Sequence, residues 1–71
     1  MKVRADSVKR YQMIRIDGRP AEVFEVRPYE AETYRVEGDR LVVGKVARLE
    51  IGCVDGRRLN VAPDELVDAC E

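Results

Sequence analysis

The chain has 71 residues, with 13 Lys and Arg against 14 Asp and Glu and no histidine. That length holds one small domain, in which folding buries roughly 60% of the surface the unfolded chain exposes. A net charge of −1 argues against binding nucleic acid or a membrane by bulk charge, and the missing His excludes Ser-His-Asp and Cys-His catalysis.

Residues 1–10 have poor periodicity and read as a flexible arm, a short helical turn or a first strand; they lack the apolar stretch of a secretory leader. From Tyr11 the chain alternates, with Ile14 and Ile16 on one face and Arg15 on the other, and it stops at Asp17-Gly18. Gly accepts positive φ without a Cβ clash and Asp bonds its own backbone, so this pair predicts a hairpin turn. Beyond it Phe24 and Val26 alternate with Glu25, with Val23 on the opposite face. Pro28 cannot donate to a ladder, so residues 27–32 are expected to form a loop.

A second turn, Gly38-Asp39, separates Thr33-Tyr34-Arg35-Val36 from Leu41-Val42-Val43. Gly44 interrupts the apolar period among Val42, Val43 and Val46, which predicts a bulge or a bend at a barrel corner. The alternation is clearest next: Leu49, Ile51 and Cys53 share a face, opposite Arg48, Glu50 and Gly52. Asp55-Gly56 is the third turn, and Leu59 and Val61 share a face after it. Pro63 followed by Asp64 and Glu65 suits one helical turn, because the missing Pro N–H is harmless there and the acids complement the dipole. Leu66 to Ala69 then reads as a closing strand; the alternative is a helix from Pro63 to the C-terminus, and with it a β-meander in place of a barrel.

With Tyr11, Phe24, Tyr29 and Tyr34 the only aromatics, the core must be aliphatic. Cys53 falls among apolar residues and reads as a small buried hydrophobe, and Cys70 as an exposed thiol. No targeting segment is apparent, so a cytoplasmic, reducing setting and free thiols are expected. Two thiols without His make no structural zinc site, no glycine-rich phosphate loop is present, and no cofactor is expected.

The segment Leu59-Asn60-Val61-Ala62-Pro63-Asp64-Glu65-Leu66-Val67, preceded by a strand and tight hairpin, resembles the end of SH3-like barrels. Those close with a hairpin, a proline-opened 3₁₀ turn and a last strand. The resemblance implies a small antiparallel barrel of about five strands spanning residues 1–71, a shape that serves proteins binding other proteins or nucleic acids. It does not fix function.

Charge is segmented. Residues 1–20 carry six basic and two acidic groups, 21–39 two and six, 40–58 five and two, and 59–71 none and four. Opposite blocks on adjacent strands would neutralise each other. Tyr29, Glu30, Glu32, Tyr34, Glu37 and Asp39 are the candidate contact region for a protein partner, since Tyr supplies area plus a hydrogen bond. The expected function is therefore a non-catalytic, regulatory binding module. The alternative is a nucleic-acid-binding barrel using Arg10, Arg15, Arg19, Lys45, Arg48, Arg57 and Arg58, with Tyr11 or Tyr34 stacking a base. Pairing of two copies through strand edges is a further expectation, and no uncharged run is long enough to span a membrane.

Overall fold

The structure, a computed structural model, describes residues 1–70. It is built of antiparallel strands: β1 (Lys2–Arg4), a 3₁₀ turn (Ala5–Ser7), β2 (Met13–Ile16), β3 (Arg19–Glu37), β4 (Arg40–Cys53), β5 (Arg58–Val61) and β6 (Leu66–Ala69). The spatial order is β1-β6-β2-β3-β4-β5. All three predicted turns close hairpins or strand connections. Asp17 and Gly18 both take positive φ, 53° and 79°, the backbone that a two-residue turn with matching strand twist requires.

The mostly β, antiparallel reading holds, but the barrel does not. β1 and β5 are the two edges of the six-stranded sheet and do not pair with each other, so the sheet is open rather than closed. Both edge strands are only three or four residues long, and much of β3 and β4 extends away from the body instead of wrapping round it. The C-terminal helix is also absent. Ala62 O accepts from Glu65 N–H at 3.1 Å, a single turn at Pro63, and β6 follows it between β1 and β2.

Residues 1–10 are not a free arm. Val3 opposes Val67, Ala5 N–H donates to Glu65 O at 2.8 Å, and Ala5 and Val8 are buried. Residues 27–32 are not a loop either. They lie inside β3 and pair with β4 from Arg27↔Glu50 to Glu32↔Lys45. Pro28 is tolerated because its missing N–H falls on the edge away from β4.

Gly44 is not a bulge; it sits in regular register opposite Thr33, whose Oγ1 lies 3.1 Å from where a Cβ would be. The irregularity is at Phe24, between the Val23↔Cys53 and Glu25↔Gly52 pairs. The extra residue turns Val23 into the core and Phe24 out to solvent, so Val23 and Val26 face the core together and Phe24, expected beside Val26, does not.

The core is aliphatic as expected: Ala5, Val8, Ile14, Ala21, Val23, Leu49, Ile51, Cys53, Val61 and Val67 form one cluster, edged by Val3, Ile16, Val26 and Leu59. None of its members lies between residues 27 and 48. The molecule measures 49 × 21 × 19 Å, because the distal halves of β3 and β4 project from the body as a two-stranded arm.

Candidate interaction surface

The arm arises from one continuous register. From Val26↔Ile51 to Glu37↔Arg40 every residue of β3 opposes one of β4, and Gly38, at φ 63°, with Asp39 closes the tip. Directly opposed residues share a face. The face continuing the core therefore carries Glu30 and Ala47, Glu32 and Lys45, Tyr34 and Val43, then Val36 and Leu41 at the tip. The last two pairs make an apolar strip with no body residue over it: Tyr34 is 61% exposed, Val36 73%, Leu41 64% and Val43 54%.

All six residues nominated for a protein partner lie on β3 or the tip turn, but they do not form one acidic face. Glu30, Glu32 and Tyr34 share the face of the strip, whereas Tyr29 and Glu37 occupy the other. Their charge is answered locally. Glu30 pairs with Lys45 at 3.9 Å and Glu37 with Arg35 at 2.9 Å. The Tyr34 hydroxyl donates to Glu32, and this bond raises the phenol's pKa above its usual value. Tyr29 is half-buried, its hydroxyl accepting from the Asn60 amide, while Arg48 donates to the Asn60 side chain and carbonyl at 3.2 Å each. The acidic block 21–39 thus lies beside the basic block 40–58, but only Glu30–Lys45 pairs across the two strands; Glu25 and Glu37 pair with Arg27 and Arg35 of their own strand.

The basic nominees do not gather. Arg15 faces Asp68 at 3.8 Å, Arg58 faces Glu50 at 3.3 Å, and Arg57 bridges Asp55 and the Pro20 carbonyl at 2.6 Å each. Arg19 begins β3 at the first turn, and Lys45 lies on the arm. Arg10 is different. Its guanidinium carbon lies 4.9 Å from the Tyr11 ring centroid and 5.0 Å from that of Phe24. Both rings are exposed, and Phe24, Val8 and Val26 line a shallow depression of about 430 Å³ with Arg10 and Glu25.

Sequence reasoning nominated neither Phe24 nor Val36, Leu41 and Val43. The strip was recoverable: pairing outward from Gly38-Asp39 places Val36 opposite Leu41 and Tyr34 opposite Val43. Phe24 carried no such signal, because the bulge that exposes it has no glycine to mark it.

Chemistry elsewhere is sparse. The Cys53 thiol is free and buried, and burial pushes its pKa up, which keeps it protonated and unreactive. Among the described residues no group of three or more His, Cys, Asp or Glu is placed to hold a metal, and no helix is long and apolar enough to cross a membrane. No family model, curated protein or solved structure matches the chain.

Proposed function

We propose that the chain is a non-catalytic binding module that engages a protein partner through the apolar strip of its arm. The carrying observation is that Tyr34, Val36, Leu41 and Val43 form a contiguous exposed face on an element that contributes nothing to the core. A two-stranded ribbon is marginally stable in water, so covering this face gains both apolar burial and order. The flanking charges, paired with each other, set orientation more than affinity. The SH3-like reading of the body rests on the hairpin, Pro63 turn and last strand.

The test is affinity capture from host lysate with the native chain and with Val36→Asp/Leu41→Asp, both checked for a cooperative fold. A species kept by the first and lost by the second is the expected result. An unchanged set of retained species would refute the assignment of the strip.

The Arg10 cluster favours a second reading, single-stranded nucleic acid stacking on Tyr11 and Phe24 with Arg10 meeting a phosphate. Labelled oligonucleotides at two salt concentrations test it. Binding that weakens with salt and disappears in Tyr11→Ala/Phe24→Ala is required, and no binding, or none sensitive to salt, discards it.

A further inference from the structure

The arm has a second unsatisfied feature besides its apolar face: the backbone edge of β4. Strand hydrogen bonding alternates sides. Val54 N–H donates toward β3, to Glu22 O, and Cys53 N–H donates toward the β5 side, to Arg57 O. Counting back along the regular ladder, the odd-numbered residues of β4 point away from β3. β5 covers only Leu49 to Gly52. The outward groups of Leu41, Val43, Lys45 and Ala47 therefore meet no strand, and the free edge runs from Arg40 to Arg48.

In the sequence of that edge, Arg40-Leu41-Val42-Val43-Gly44-Lys45-Val46-Ala47-Arg48, three of the four pairs about Gly44 match in character, Arg40 with Arg48, Leu41 with Ala47 and Val42 with Val46, and Val43 with Lys45 does not. We propose that two copies of this chain pair antiparallel along β4 about a two-fold axis at Gly44. In this register Leu41 opposes Ala47 of the second copy, Val43 opposes Lys45, Val42 opposes Val46, and Gly44 opposes itself. All four outward-pointing residues of each edge find partners. Moving the centre to Lys45 sets two ammonium groups against each other; moving it to Val43 leaves Ala47 without a partner. The tip of each arm then ends beside Val61, the last residue of β5, of the other copy, and the two bodies lie at opposite ends of the shared ladder. Arg40 opposite Arg48 is the one repulsive pair. It is tempered on one side because Arg40 lies opposite Glu37.

The β3 edge does not offer the same match. Its outward positions include Pro28, which has no N–H, and the acidic Glu30 and Glu32. An isologous pairing of this kind closes as a dimer rather than a filament. A ladder of nine residues is about 30 Å long and is smaller than a standard interface of roughly 800 Å² per partner, so a weak, concentration-dependent dimer is expected. The inference rests on backbone edge groups and does not depend on the apolar strip having a partner.

Sedimentation velocity over a concentration series from low micromolar to about 1 mM tests it. The native chain should approach twice its monomer mass. Val43→Pro removes an outward N–H without touching the β3–β4 ladder and should stay monomeric with an unchanged far-UV spectrum. Glu32→Pro, at an outward position of β3, should dimerise like the native chain. A monomer throughout, or a dimer equally stable in Val43→Pro, would overturn the proposal. If either variant fails to fold, amide exchange of the native chain decides. On raising the concentration the Leu41, Val43, Lys45 and Ala47 amides should slow and those of Glu32 and Tyr34 should not; equal slowing of both sets, or of neither, refutes it.

Discussion

Replacing residues 30–47 with Asn-Gly should remove the arm and leave the body folded. Tyr29 and Arg48 are opposed, and Arg48, as an even-numbered residue of β4, bonds toward β3. A two-residue turn therefore closes on a hydrogen-bonded pair, as Gly38-Asp39 does between Glu37 and Arg40. No deleted residue belongs to the core cluster, and the ribbon itself contributes little net stability in water. The main loss is cover near Leu49, which is buried at the root of the arm; exposing the equivalent of one buried CH₂ there costs ~1 kcal/mol. For a domain of this size that lowers Tm by about 4–8 °C. Urea unfolding followed by circular dichroism measures it. A loss above ~3 kcal/mol, or a transition that is no longer cooperative, would show that the arm and the body stabilise each other and that the division drawn between them is wrong.

Ile51 is fully buried at the centre of the core, and Ile51→Ala should cost about 2–5 kcal/mol, a large share of the roughly 4–11 kcal/mol expected for this length; a denaturation midpoint close to the native one would contradict the core assignment. Asp68, bonded to the N-terminal ammonium, Asp55, accepting from Arg57 N–H, and Asp6, bonded to Arg4, all have carboxyls held below the usual 3.8. Because their folded pKa values are depressed, their stabilisation is present above that value and is lost as pH falls through the lower folded values. Tm should therefore drop on acidification below about pH 4, and a Tm that is level or rising there would count against these three contacts. Tyr11 holds φ 73° without being glycine, so Tyr11→Gly should raise stability by about 0.5–1 kcal/mol; a fall would mean that the ring holds the structure rather than being displayed by it.

The parts of the fold legible in the sequence were those a local signal fixes. Asp17-Gly18, Gly38-Asp39 and Asp55-Gly56 marked their turns through glycine's backbone freedom, and the alternation of Leu49, Ile51 and Cys53 marked a buried face. Pro63 marked the turn before β6. Readings that needed tertiary information fared worse. Pro28 argued for a loop because its missing N–H is costly inside a sheet, yet on the outer edge of β3 that N–H had no partner to lose. Gly44 argued for a bulge, but Thr33 fills the space beside it and the ladder runs straight. The bulge fell instead at Phe24, where nothing in composition announces it.

The same limit explains the candidate site. Period-2 alternation says that a segment is a strand with two unlike faces; it does not say whether anything covers the apolar one. Tyr34 and Val36 carry the same pattern as Ile14 and Ile16, yet Ile14 is sealed in the core and Val36 is 73% exposed. The difference lies in the length of the register. β5 stops opposite Leu49 and β2 stops opposite Glu22, while β3 and β4 continue to pair with each other as far as Glu37 and Arg40. Past those endpoints an inward-facing pattern has no inside, and residues that would have been core become surface. The proposed protein contact rests on an apolar strip produced in this way, in place of the acidic stretch from Glu30 to Asp39. The side chains that mark it are the ones that a shorter hairpin would have buried or lacked.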